Sequence, residues 1–301
     1  MKPMLATNWD ESKLKFPIGV QAKIDGVRAL NLDGNLTGRS LKKFKNKFLT
    51  ERFSKDIYLG FDGEMATGSE TDPKLCRLTS SALSTITGEP YVLWHVFDFV
   101  RYDVVHLPYH ERYDCLVQFQ NHFKLPQIRV VPMKIAHDMQ ELLAYDASFL
   151  GLGYEGTILR DLNGMHKQGR STVREQGLLR IKRFEQEEAI VLSINEGRTN
   201  NNETQTNELG RTYRTSHQDN QTPNGMVGSM ECAILKDSEL FKKGQIITVS
   251  KGEMTADESS YHFANPTTLI GKVISFKHFP KGVKDQPRFP TFSHIRSEED
   301  Q

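Results

Sequence analysis

Val20-Gln21-Ala22-Lys23-Ile24-Asp25-Gly26-Val27-Arg28 runs from a strand-like stretch through a lysine into a glycine turn. It leaves in a second strand-like stretch, Val27 to Leu32, so the pair reads as two strands joined by a tight turn. A lysine amine attacks phosphorus only when neutral, so a site using Lys23 this way must lower its pKa, and neighbouring cations or a bound metal would do that. Gly26 would let the backbone approach a phosphate closely. Taken alone, the same residues also fit a structural Asp-Gly turn after a strand-end lysine.

Outward from this stretch, strand-like and helix-like patterns alternate. Asp33-Gly34 is a hairpin signal leading to a third strand around Leu36. Phe44, Phe48, Leu49 and Phe53 suit one helix face, and Leu75, Leu78, Ala82 and Ile86 another. Val92, Trp94 and Val96 alternate with polar positions in a strand ending at Phe97-Asp98-Phe99. Pro108 opens a helix carrying Tyr109, Tyr113, Leu116 and Phe123. Ile128 to Pro132 is strand-like, Met139, Leu142, Leu143 and Phe149 mark a further helix, and Thr157 to Arg160 and Leu178 to Arg183 are strand-like.

Composition shifts after Phe184. Residues Gly197 to Gly225 are nearly free of aliphatic side chains and dense in Asn, Thr, Gln and Ser. So long a polar stretch suggests a loop that is disordered when free and ordered by a partner. Around it, Ile190 to Ile194, Ser229 to Leu235, Ile246 to Ser250 and Val273 to Phe279 read as short strands, with a helix candidate over Met254 to Phe263. Short strands with one helix suit a small β-barrel of the OB type. The expected class is α+β, with a boundary near Glu185 between domains 1–185 and 186–301.

The 301 residues suffice for two domains, and 37% hydrophobic with 26% charged residues fits a globular chain. No apolar run is long enough to span a bilayer. Met1 to Asp10 carries one lysine and no apolar core, so no secretory signal is read, and a cytoplasmic or nuclear compartment is expected. Cys76, Cys115 and Cys232 lie far apart without metal-ligand spacing, which fits a reducing compartment. Net charge is only +1, but its distribution is uneven. Arg39 to Lys55 holds seven basic residues and one acid, Arg160 to Arg183 holds seven and two, and Lys272, Lys277, Lys281, Lys284 and Arg288 form a third stretch. Each stretch alone fits an ordinary solvated face, and three in one chain favour a polyphosphate partner more than any one does.

Lys23-Ile24-Asp25-Gly26-Val27-Arg28 resembles the nucleotidyl-attachment motif of the covalent nucleotidyltransferases: DNA ligases, RNA ligases and mRNA capping enzymes. The other motifs follow in order. Thr37-Gly38-Arg39-Ser40 resembles the segment whose arginine holds the 5′-phosphate, and Phe61-Asp62-Gly63-Glu64 the strand whose glutamate contacts the ribose. Val96-Phe97-Asp98 resembles the motif whose aromatic ring stacks on the base, and Tyr154-Glu155-Gly156-Thr157 the one whose glutamate serves the metal. Leu179-Arg180-Ile181-Lys182 resembles the strand whose basic side chains meet the phosphates, although lysine is usual where Arg180 stands. Arg288-Phe289-Pro290-Thr291-Phe292 through Arg296 and Asp300 resembles the ligase tail that orients pyrophosphate. Nearly the whole chain is covered, and it is similar to the smallest viral ATP-dependent DNA ligases.

That resemblance implies a nucleotidyltransferase domain of mixed and antiparallel sheets with helices, followed by an OB-fold domain. It implies an ATP-dependent DNA ligase, sealing nicks through a lysyl-AMP intermediate and an adenylated DNA end. Catalytic residues would be Lys23, Asp25, Glu64, Glu155 and Lys182. The nucleotide would meet Lys23, Gly26, Arg28, Glu64, Phe97, Glu155, Arg180, Lys182, Arg288, Arg296 and Asp300. Mg²⁺, or Mn²⁺ in its place, would be held by Glu64 and Glu155. Nicked duplex DNA would meet Arg39 and Arg170, and a latch over about 197–225 would bring Arg198, Arg211 and Arg214. The protein is expected to act as a monomer away from membranes. A capping guanylyltransferase, an RNA-joining ligase and a non-catalytic OB-type nucleic-acid-binding protein are the competing readings.

Overall fold

The structure is a computed structural model and describes residues 1–181, 184–238, 240–283 and 286–296. Lys182 and Asp300, two of the expected site residues, lie outside them. The chain divides into two compact units, Met1–Lys182 and Arg183–Gln301.

The first unit is built on two five-stranded sheets. One has the order Thr7–Asn8, Leu179–Ile181, Gly156–Arg160, Ile18–Lys23, Lys134–Ala136. The other has the order Leu36–Gly38, Val27–Asn31, Phe61–Ala66, Leu93–Phe99, Ile128–Val130. The strands on either side of Lys23 therefore do not pair as a hairpin. Ile24 is buried, and Gly26 passes so close to the neighbouring strand that a Cβ there would stand 2.3 Å from the Met65 carbonyl oxygen. Glycine is required by that backbone crossing, whatever a phosphate later needs. The chain steps from one sheet to the other at Lys23, which puts the lysine at the seam between them.

Each sheet buries one face under helices. On the second sheet, Phe53, Phe61, Trp94 and Phe99 form an edge-on aromatic core beneath helices Lys47–Phe53 and Tyr109–Phe123. Phe61 and Trp94 sit 5.7 Å apart at 74°, a favourable edge-to-face contact. On the first sheet, Ile18, Val20, Leu159 and Leu179 pack with Leu142 of helix Met139–Gly151. A smaller cluster of Ile24, Ala66, Leu75 and Val131, joined by Phe97 and Tyr154, draws on both sheets.

Helix Leu75–Ser84 turns a different face inward from the one its leucines suggest. Leu75, Thr79 and Leu83 are buried while Leu78 is exposed, and Ile86 lies beyond the helix end and is also exposed. The buried Thr79 hydroxyl accepts from the Thr67 N–H at 3.1 Å, so a polar group satisfied in the core takes the seat. Phe123 and Leu143, which mark two of the expected helices, are exposed as well. The Asp33-Gly34 hairpin is formed, and buried Asn31 fixes it by accepting from the Gly34 N–H at 2.9 Å and donating to the Phe53 carbonyl at 2.8 Å.

The second unit is a closed five-stranded barrel. Its order is Glu185–Asn200, Gln221–Ile234, Ile246–Ser250, Gln286–Ile295, Val273–Val283 and back to the first. The third and fifth strands in sequence run parallel, and helix Ala256–Ala264 links the third to the fourth. That is the OB arrangement. The helix starts at Thr255 with a capping box to Glu258. Inside lie Val191, Met230, Cys232, Val249, Ile274 and Phe276.

The polar stretch 197–225 is not structureless. The first two barrel strands continue outward as a ladder that pairs Arg198 with Pro223, Thr199 with Thr222 and Asn200 with Gln221. A further hairpin, Thr204–Thr206 with Thr212–Arg214, caps it. In place of an apolar core, Asn202 is buried and its amide donates to the Thr215 and His217 carbonyls, at 2.9 and 2.8 Å. Side-chain amides thus supply the cohesion that aliphatic residues supply elsewhere, which is why the stretch shows no apolar periodicity.

Candidate active site

Lys23 ends strand Ile18–Lys23, and Gly156 pairs with it across the ladder, which sets Glu155 beside it. The Glu155 N–H donates to the Lys23 carbonyl at 3.1 Å, and Lys23 Nζ donates to Glu155 Oε2. Both side chains keep about a quarter of their surface exposed, 25% and 24%, so the pair is open to a ligand. Glu64 stands across from Arg28 on one side and His95 on the other. Burial pushes its carboxyl up to about 7, opposed by Arg28 and Lys23 and assisted by Asp62 and Glu155.

The sign of that shift gives a prediction. A raised carboxyl pKa means the folded chain holds the proton more tightly than the unfolded one. Its contribution to stability is full at low pH and is lost as pH rises from 4.5 through about 7. Glu64→Gln should therefore gain about 1–3 kcal/mol on the wild type at pH 8, with little gain at pH 4. Thermal melts at the two pH values test this, and a carboxyl ¹³C titration of Glu64 with a midpoint near 4.5 would contradict it.

Arg28 is committed to buried Asp62 by two parallel hydrogen bonds, Nε to Oδ1 at 2.5 Å and Nη2 to Oδ2 at 2.7 Å. Its guanidinium lies 4.6 Å from the Phe97 ring centre. Phe97 itself is half-buried. Asp25, between Lys23 and Gly26, is half-buried in the turn.

Three arginines expected to meet phosphate lie on this unit. Arg180 donates to Asn8 Oδ1 at 2.9 Å, and its pKa is lowered by burial first and then by Arg170 and Arg39, with Glu155 opposing. Arg39 and Arg170 are both exposed, and the Arg170 guanidinium also bonds the Ala6 carbonyl. Arg180 thus lies near Glu155, with Arg170 and Arg39 close to Arg180.

In the barrel unit, Arg296 pairs with Glu188 at 2.9 Å, and Arg288 lies 5.8 Å from the Phe289 ring centre. On the arm, Arg198, Arg211 and Arg214 are exposed, and the Arg214 guanidinium bonds the Asn202 carbonyl.

Tyr109, Arg112 and Arg160, which stand in no motif, hold Asp98 and the strand end of the Val96-Phe97-Asp98 motif. Asp98 is buried and accepts from Arg112 at 2.9 and 3.0 Å and from Arg160 at 3.0 Å. Burial alone would raise its pKa, but Arg112 and Arg160 hold the carboxyl well below the usual range. The Arg160 guanidinium packs on Tyr109 at 4.4 Å and near Phe97 at 5.3 Å, and the Tyr109 hydroxyl donates to the Phe97 carbonyl at 2.8 Å. Together they fix the strand end that carries Phe97. Sequence spacing could not find them, because Arg112 and Arg160 come from elements 14 and 62 residues beyond Asp98.

A nucleotidyltransferase unit with a lysine at the seam of two sheets, joined to an OB barrel, is the architecture of the nucleotidyltransferase–OB ligases. Within that class the chain is similar to DNA ligases. It is 26% identical over 187 residues to the DNA ligase of African swine fever virus, covering 60% of this chain and 45% of that protein. It therefore spans under half the length of the curated relatives it matches. Among solved structures it is similar to the Chlorella virus DNA ligase-adenylate, at 25% identity, a TM-score of 0.54 and 99% of each chain. It also shares its fold with a Lig E DNA ligase structure, at 20% identity, a TM-score of 0.73 and coverage of 98% and 99%. No family profile matches the chain. The resemblance to small viral DNA ligases read from the motifs holds in both comparisons. Among the described residues, no helix is long and apolar enough to cross a membrane.

Proposed function

We propose that this chain is an ATP-dependent DNA ligase that seals 3′-hydroxyl/5′-phosphate nicks. The observation that carries the reading is the Lys23–Glu155 pair at the seam of the two sheets, with Glu64 near it and Arg180 close to Glu155. In the first step the Lys23 ammonium gives its proton to solvent at the open side of the site, as neighbouring cations favour the neutral amine. The freed amine forms a nitrogen–phosphorus bond to the α-phosphorus of ATP, and the bond to pyrophosphate breaks. The base rests on the uncovered part of the Phe97 ring, and Arg28 serves as a wall held by Asp62. Asp25 and Gly26 shape the turn that presents Lys23.

Arg288, Arg296 and Asp300 would meet the leaving pyrophosphate, and Lys182 with Arg180 would face the remaining phosphate. AMP then passes to the nick's 5′-phosphate, gripped by Arg39 and Arg170, and attack by the 3′-hydroxyl releases it. Glu64 and Glu155 suit Mg²⁺ or Mn²⁺. Mg²⁺ commonly takes one or two protein carboxylates and completes its shell with phosphate oxygens and water, and Glu64's raised pKa marks a buried acid that a nearby cation would ionise. When bound, the ion would offset charge on the phosphates.

To test the reading, the protein is incubated with Mg²⁺ and α-labelled ATP or GTP, then chased with nicked duplexes carrying DNA or RNA at the nick. Label should pass from ATP to protein and on to nicked DNA. A protein left unlabelled by every nucleoside triphosphate, with Mg²⁺ or Mn²⁺, would end the proposal.

The arm over 197–225 is the element proposed to close on duplex DNA, through exposed Arg198, Arg211 and Arg214. Deleting residues 199–223 should weaken nick binding about tenfold or more, because several phosphate contacts go together, while labelling of Lys23 by ATP changes far less. Gel-shift affinity compared with labelling rate checks this. Equal loss of both would remove the arm's proposed role.

A further inference from the structure

The carboxylate of Glu70 joins three elements of the first unit and plays no part in the steps above. It sits in the loop after strand Phe61–Ala66. Its Oε2 accepts from the Tyr154 hydroxyl at 2.9 Å, and its Oε1 lies 3.4 Å from His95 Nδ1. The seat is built closely. Gly153, at φ +89°, faces Thr71, whose Cβ stands 3.3 Å from where a Gly153 Cβ would be, so a glycine lets the loop settle against the turn before Glu155. His95 is 2% exposed, whereas the Glu70 side chain is 36% exposed. A carboxylate offers about four acceptor positions, and two neighbours face it here, so capacity remains on its open side.

The place of this carboxylate relative to a bound base follows from strand geometry. His95 lies two residues before Phe97 on strand Leu93–Phe99, where a bulge pairs Gly63 with Val96 and Asp62 with Asp98, and Phe97 and Tyr154 pack against the same cluster of Ile24, Ala66, Leu75 and Val131. Glu64 is directly opposite His95. A planar base resting on Phe97, with its sugar toward Glu64 and Lys23, presents an edge to Glu70 and His95. The group waiting there is an acceptor, the Glu70 carboxylate. His95 turns Nδ1 toward it at 3.4 Å and keeps Nε2 buried. The Tyr154 hydroxyl spends its proton on Glu70.

We infer that Glu70, seated by Tyr154 and His95, is a specificity-determining residue that accepts a hydrogen bond from the 6-amino group of adenine. Guanine carries a carbonyl oxygen at that position, which meets the carboxylate with repulsion. The inference rests on the nucleotidyl-transfer reading above and names what makes ATP rather than GTP the substrate.

The test measures covalent labelling of the whole protein, as kcat/KM, with ATP, GTP and purine riboside triphosphate, which has hydrogen in place of the amino group. Wild type should lose about ten- to hundredfold on removal of the amino group, the range for a hydrogen bond to a charged partner. Glu70→Ala should show less than about a threefold difference between ATP and the analogue, with a matching fall in the ATP/GTP ratio, and Glu70→Gln, which brings an N–H donor suited to the guanine carbonyl, should also lower the ATP/GTP ratio. A purely structural role would slow all three nucleotides by one factor, and that outcome overturns the inference. Wild type alone suffices if the variants do not fold: equal use of ATP and the analogue refutes it. Should no nucleotide label the protein, the ligase reading fails; should ATP label it with ratios unmoved by substitution, only the role of Glu70 fails.

Discussion

Lys23→Ala eliminates labelling of the protein by ATP, a loss of at least about 10⁴-fold, as expected when a nucleophile is deleted from a group that acts as a unit. The size follows from the geometry. The amine of Lys23 stands at the crossing between the sheets, with its Glu155 partner fixed by the ladder to Gly156. Lys23→Arg should fail equally, since a guanidinium does not give up its proton under working conditions. Sealing of a nick supplied already adenylated should survive better than the full reaction, because Lys23 has done its part by then. Mass spectrometry of the labelled peptide checks the site. Undiminished labelling of Lys23→Ala would move the nucleophile elsewhere and undo the proposed chemistry.

The second large effect is on stability. Asp98→Ala leaves Arg112 and Arg160 buried with their shared carboxylate removed. Breaking a buried ion pair this way costs about 3–5 kcal/mol. For a domain of this size that lowers the melting temperature by about 6–20 °C. The pH dependence has a definite sign. Asp98's pKa is depressed in the folded chain, so its contribution stands above the ordinary carboxylate range and fades as pH falls through the folded value. Wild type and variant should therefore converge in strong acid and differ most near neutrality. A melting temperature within about 2 °C of wild type at pH 7 would show that water reaches the two guanidiniums and that the triad carries little.

The candidate site was partly legible in the sequence. Lys23, Glu64, Glu155 and Phe97 stand in short motifs whose residue types are dictated by chemistry, so they stay recognisable without a structure. The supporting residues were not legible. Glu70, His95 and Tyr154 meet around one carboxylate from three elements, and Arg112 and Arg160 reach Asp98 from two others. No local period links such residues, because their proximity exists only after both sheets have formed.

By itself the sequence determined the order of motifs, the change of character after Phe184 and the short strands around a single helix that make the barrel. These rest on local patterns: alternation, turn residues and the residue types that phosphate chemistry needs. Only the tertiary structure decided that the strands flanking Lys23 part into different sheets, that helix Leu75–Ser84 buries Thr79 in place of Leu78, and that the polar 197–225 stretch is a β-arm. Each of those outcomes depends on partners distant in sequence: the Met65 carbonyl against Gly26, the Thr67 N–H for Thr79, and carbonyls across the arm for Asn202. Propensity and periodicity describe a chain's preferences for itself, and they hold no record of which distant group will arrive to satisfy a buried polar atom.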